Sequence, residues 1–152
     1  MKPSSVESEP ASREAAWQEE ASKLREASSI AVIGGGPVGV ELAAEVAYAY
    51  PKKHVTIIDS HEELCTPFAH KRTSEYVLRW LRSRGVEVVL GQRCGEAGTP
   101  PVYALANGTR ITADVVYECR GTRPSGDLLK GGPLEQSLHS SGFVSVRPTL
   151  QR

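Results

Sequence analysis

The sequence has no surplus of either charge: 18 lysines and arginines stand against 18 aspartates and glutamates. A balanced chain lacks the basic footprint that nucleic acid selects, so nucleic acid is not expected as its main partner. It also has no apolar run of the roughly 20 residues that a helix needs to cross a bilayer, and no membrane span is expected. The opening MKPSSVESEP has neither the apolar core of a secretion signal nor the basic, acid-poor character of a transit peptide. Cysteines are few, and Cys65, Cys94 and Cys119 form no Cys-x-x-Cys. This excludes a local redox dithiol and fits reduced thiols in an intracellular protein, cytoplasmic or organellar. The segment HEELC, residues 61–65, with His70 nearby, lacks a second coordinating pair. No metal site is expected there.

What the chain does have is a strong alternation of strand and helix signals. Its 152 residues are enough for one domain with a real core. Residues 1–11, rich in Ser, Glu and Pro, are expected to be a disordered leader. A domain over residues 12–124 opens with a helix on which Trp17, Ala21 and Leu24 recur at helical spacing. Residues 125–152 are expected to form a loop and a short strand.

The central signal is IAVIGGGPVGVELAAEVA, residues 30–47. Strand-like residues break into a glycine turn and continue as a helix-forming run, which ends near Tyr50 because Pro51 cannot extend it. Gly34, Gly36 and Gly39 match the Gly-x-Gly-x-x-Gly fingerprint: the first permits the turn, the second lets backbone approach a pyrophosphate, and the third allows close helix–strand packing. HVTIID then forms a second strand ending at Asp59, twenty residues after Gly39, where a ribose-binding carboxylate is expected. These spacings predict a dinucleotide site. Backbone of Gly34, Gly35, Gly36, Pro37, Val38 and Gly39 lies around the pyrophosphate, with Asp59 and the adjacent Ser60 at the ribose. Glu41 is placed in the first turn of the helix, where an anion is favoured by roughly 0.3–1 kcal/mol. Asp59 favours NADH over NADPH by repelling a 2′-phosphate, although His61, Lys71 and Arg72 follow and could greet one.

Beyond the second strand, TSEYVLRWLRSRG predicts a helix with Thr73 as N-cap, and VEVVL a third strand. The rhythm then changes to strands without helices, and Asn107-Gly108 predicts a two-residue type I′ hairpin. The class is therefore α/β: a Rossmann-like parallel sheet with flanking helices and an inserted antiparallel β-meander. Two other patterns are set aside. Tyr48-x-x-x-Lys52 imitates a dehydrogenase pair but sits at the end of the first Rossmann helix and includes Pro51, and Asn107-Gly108-Thr109 is a turn before it is a glycosylation site.

This layout resembles the NAD(P)H-binding domain of the pyridine nucleotide-disulfide oxidoreductase superfamily of flavoproteins. The nearer likeness is to the branch of apoptosis-inducing-factor-like enzymes, ferroptosis suppressors and type II NADH dehydrogenases. GGGPVGVELAAE, the meander after the third strand, and ADVVYECRGTRPSG as a closing segment bear the likeness, over about residues 13–150. Cys119 and Arg120 stand where the family usually has Ala-Thr before the glycine, here Gly121. The resemblance implies Gly121 as a further cofactor contact and Glu41 near nicotinamide and flavin. It implies NAD(H) in preference to NADP(H), FAD in the full-length protein, an FAD domain of the same polypeptide as partner, and a quinone-like acceptor. A family member's own FAD fingerprint and terminal Gly-Asp motif are not in the sequence, so the chain is expected to be an excised nucleotide domain, inactive alone, with no catalytic residue assigned. Two alternatives stay open: a domain whose glycines hold FAD, and a non-catalytic nucleotide-sensing or interaction module.

Overall fold

The computed structural model describes residues 10–67, 69–96, 102–121 and 124–150. Most of the expected leader, and Thr122 and Arg123 of the closing segment, lie outside the described residues. The chain divides into two compact units, Met1–Arg120 and Gly121–Arg152.

In the first unit, helix α1 (Pro10–Glu26) leads into strand β1 (Ser29–Ile33), helix α2 (Pro37–Ala49) and strand β2 (His54–Ile58). Helix α3 (Lys71–Ser83) and strand β3 (Glu87–Val89) follow. The meander β4 (Cys94–Glu96), β5 (Val102–Leu105) and β6 (Arg110–Thr112) precedes β7 (Val115–Glu118). A parallel sheet has the order β3-β2-β1-β7, and the meander forms a separate antiparallel sheet, β4-β5-β6. The fold is thus the expected Rossmann-like α/β unit with an inserted β-meander.

The near-continuous apolar strands follow from burial on both faces of the parallel sheet. Alternate residues Ile30, Val32, Val55 and Ile57 pack with Ala43, Val46 and Ala47 of α2 and Leu81 of α3. Ala31, Ile33 and Ile58 pack with Tyr103 and Leu105 of the meander. The small, fully buried Ala43 lets α2 lie close to the sheet. At the opposite end of β1, Asp114 binds the strand's start: its Oδ2 accepts from the Ser28 and Ser29 N–H groups, at 2.8 and 2.9 Å, and from the Ser29 hydroxyl at 3.0 Å. Those donors favour the ionised form and hold the Asp114 carboxyl below its ordinary range.

Three local expectations need correction. Helix α3 starts at Lys71 and its N-cap is His70, whose ring nitrogen accepts from the Arg72 N–H at 3.3 Å; Thr73 is already inside the helix. The 107–108 hairpin is not type I′, since Gly108 has φ +84° while Asn107 has no positive φ. The Gly108 N–H bonds Leu105 O and the Leu105 N–H bonds Thr109 O, giving a three-residue loop with the glycine in the left-handed position. Finally, α1 has no buried residue: Leu24 packs on the core, but Trp17 is 64% exposed.

In the second unit, short 3₁₀ helices span Gly126–Leu129 and Glu135–Ser137, and an antiparallel bridge joins Leu138 and Val144. Gly121 opens this unit with φ +26°.

Candidate functional site

The glycine turn forms at the carboxyl end of β1, the edge at which open α/β sheets bind ligands. Gly34 donates its N–H to Ile58 O at 2.8 Å, which ties the turn to β2. Its φ of +116° and the nearness of β7 both demand glycine, since a Cβ here would lie 2.6 Å from the Cys119 carbonyl oxygen. Gly39, in the first turn of α2, lies over the Gly34 carbonyl with no room for a Cβ. Gly36 is the N-cap, in extended conformation, and Pro37 takes the first helical position, where its missing N–H costs nothing. Among the described residues nothing lies within 4 Å of where a Gly36 Cβ would stand, and this side of the turn is open to them. The first-turn N–H groups of Val38 and Gly39 have no acceptor one turn back, as at any helix start. An anion placed against this open side meets backbone donors and the positive end of a helix dipole. Val38 is 66% exposed beside them.

Asp59 closes the other wall. Its Oδ2 accepts from the Gly35 N–H. Its Oδ1 accepts from the His61 backbone N–H at 2.7 Å and lies 2.6 Å from His61 Nδ1. The Asp59 side chain is only 11% exposed, against 58% for His61. Ser60 between them is exposed. The structure therefore brings Gly34, Gly35, Gly36, Pro37, Val38 and Gly39 together with Asp59, and the exposed Ser60 follows Asp59. Glu41 is on the same helix but not where expected: it is the fifth residue of α2, beyond the first turn, and exposed. The dipole's pull falls off within that first turn, so it does not explain this glutamate.

Supports of the turn escaped the sequence reading. Leu64, 1% exposed, packs its Cδ2 where a Gly35 Cβ would be, and the Cys65 N–H donates to Gly35 O at 2.7 Å. The buried Ser74 hydroxyl donates to Leu64 O at 2.6 Å and fastens this loop to α3. HEELC thus serves as a buttress, and among the described residues no group of three His, Cys, Asp or Glu side chains could hold a metal. Cys119 lies under the turn against Gly39, and burial pushes its thiol pKa up. Arg120 is paired with Glu118 at 2.7 Å. A separate concavity of about 280 Å³ lies at the amino ends of the strands, lined by His54, Thr56, Glu87 and Arg110.

A glycine-rich strand–turn–helix with an acid at the end of the second strand defines a Rossmann-like α/β domain. The chain belongs to the pyridine nucleotide-disulphide oxidoreductase family, whose profile matches residues 6–151. It is 33% identical over 135 residues to the FAD-dependent oxidoreductase FVFD30 of Flammulina velutipes, covering 88% of this chain and 41% of that protein. It is 35% identical over 142 residues to ferroptosis suppressor protein 1 of Xenopus laevis, covering 85% and 37%. The structure of the water-forming NADH oxidase of Lactobacillus brevis bound to NADH superposes with a TM-score of 0.66 at 25% identity, over 86% of this chain and 27% of that one. The chain thus spans about two fifths or less of the proteins it matches. Among the described residues no helix is long and apolar enough to cross a membrane.

Proposed function

We propose that this chain is the nicotinamide-dinucleotide-binding domain of an FAD-dependent NAD(P)H oxidoreductase, holding the reduced cofactor for hydride transfer to flavin. The observation that supports this best is the pairing of the open Gly36 side of the turn with the Asp59 carboxylate folded onto Gly35. The residues fit a dinucleotide. Backbone N–H groups at the start of α2 take the pyrophosphate, and Asp59 takes ribose hydroxyls. Glu41, without a capping role, points to the function that the resemblance implies, beside the nicotinamide. Ser60 and Gly121 complete the proposed contacts.

Bound nicotinamide would supply a hydride to the flavin, and the protein's share is orientation and electrostatics. Asp59 supports NADH over NADPH, because a carboxylate repels a 2′-phosphate. Solved structures that share this fold include complexes with either dinucleotide, and the preference rests on the acid at this position. A quinone-like final acceptor rests on the branch resemblance alone, and turnover is expected only when a flavin domain is supplied.

The test is calorimetric titration of the full chain with NADH, NADPH and FAD in separate runs. Saturable binding of NADH, tighter than NADPH and with none of FAD, is expected. Binding of FAD alone would overturn the assignment. So would binding of none, by leaving the glycine turn a structural feature only.

A further inference from the structure

We propose that Asp59 and His61 act as one hydrogen-bonded pair whose joint charge sets how strongly the site separates a ribose 2′-hydroxyl from a 2′-phosphate. This rests on Asp59 being the ribose-binding acid. An ionised carboxylate offers about four acceptor sites. Among the described residues three are taken: Oδ2 by the Gly35 N–H, and Oδ1 by the His61 backbone N–H at 2.7 Å and His61 Nδ1 at 2.6 Å. One site, on Oδ2, remains for a ribose hydroxyl. The second hydroxyl must be met by the imidazole, or must displace it.

The ring's chemistry follows from that contact. A carboxylate only accepts, so the hydrogen of a neutral His61 is on Nδ1 and its Nε2 presents a bare lone pair. In this state the pair has a net charge of −1 and turns a 2′-phosphate away. With a second proton His61 gains an Nε2–H donor and the pair becomes neutral, which removes the pair's own repulsion. The carboxylate is nearly buried while the imidazole is more than half exposed, so the proton exchanges on the solvent side.

Other groups around the pair leave this balance intact. The glycine turn contributes the Gly35 N–H, and the link after β3 contributes the Gly91 N–H to His61 O at 2.9 Å and the Gln92 N–H to Asp59 O at 3.0 Å. All three are uncharged. On the pair's own loop, Ser60 is neutral, and the Glu62 carboxylate packs against Gly91 and adds a fixed negative charge. Among the described residues, neither Asp59 nor His61 bonds a lysine or arginine.

The experiment measures Kd of the full chain for NAD⁺ and NADP⁺, which tolerate mild acid, from about pH 8 to about pH 5.5, the span in which histidines change charge. A phosphate monoester itself gains a proton near pH 6, so the same series is run on His61→Asn, which keeps a donor toward Asp59 but cannot charge. The ratio of the NADP⁺ to the NAD⁺ Kd is expected to fall roughly threefold to tenfold further in the native chain than in the variant. Circular dichroism checks that the variant is folded, and His61→Gln provides a second uncharged side chain if it is not. Superimposable ratios for native and variant chains would overturn the role of His61 while leaving the dinucleotide site standing. No binding of either dinucleotide, or NAD⁺ binding unchanged in Asp59→Ala, would overturn the ribose assignment and this inference with it.

Discussion

Gly39 sits directly over the carbonyl oxygen of Gly34, so that the first turn of α2 and the end of β1 touch backbone to backbone. Gly39→Ala would drive a methyl group into that oxygen, with Cys119 Cβ 3.3 Å away on the other side and no flexible side chain to yield. The expected outcome is a loss of about 2 kcal/mol or more, the upper part of the overpacking range. Thermal unfolding checks it: a fall of several degrees is expected, and an unchanged midpoint would mean that helix and strand are not in contact.

Val38 offers a variant that separates binding from folding. Its side chain is 66% exposed at the start of α2, so Val38→Asp should keep the melting temperature within about two degrees. The new carboxylate would stand where the pyrophosphate is proposed to lie. NADH affinity should fall at least about tenfold, equivalent to roughly 1.4 kcal/mol. Undiminished affinity by calorimetry would move the phosphates away from the helix terminus.

Asp114 gives the fold a pH dependence of definite sign. Hydrogen bonds from Ser29 and Ser28 lower its pKa in the folded state, so its contribution is present above the unfolded value of 3.8 and is lost as pH falls through the folded value. Asp114→Asn should lower the melting temperature at neutral pH, with the difference from the native chain shrinking in acid below pH 3.8. Melting curves across that range decide the matter. A difference that is constant with pH would assign the loss to packing instead of charge.

The three thiols are all raised in pKa, chiefly by burial, so none is poised as a thiolate near neutrality. Labelling of the native chain with a thiol-specific disulfide reagent at pH 7.5 should be slow, and all three should react promptly in denaturant. Fast reaction of one thiol in the native state would mark an activated cysteine.

The glycine fingerprint and the Asp59 spacing were readable in the sequence because both are local: the turn is dictated within six residues, and the acid ends a strand whose length is set by its apolar run. The meander was readable because its strands alternate without helical spacing. The Asp59–His61 contact was not, since its geometry depends on how the loop after β2 bends, and spacing alone left His61 as one of three phosphate candidates. Leu64 and Ser74 act through a loop-to-helix contact ten residues apart, so no single periodicity reveals them. The Asn-Gly signal located the hairpin but misjudged its loop by one residue, because register across β5 and β6 is fixed by packing of Tyr103 and Leu105. Glu41 falls just beyond the first turn expected for it because the helix already begins at Pro37.

The strand order also constrains how the molecule comes into being. In β1, Ile30 pairs with Val115, 85 residues later, so one edge of the central strand stays open until β7 has been made. At about 5–20 residues per second that interval is roughly 4 to 17 seconds of synthesis, a long time for a bare apolar edge. During translation, therefore, the half-built sheet is a surface for chaperones to shield, and a ribosome stalled anywhere before residue 115 would leave a sticky, incomplete product.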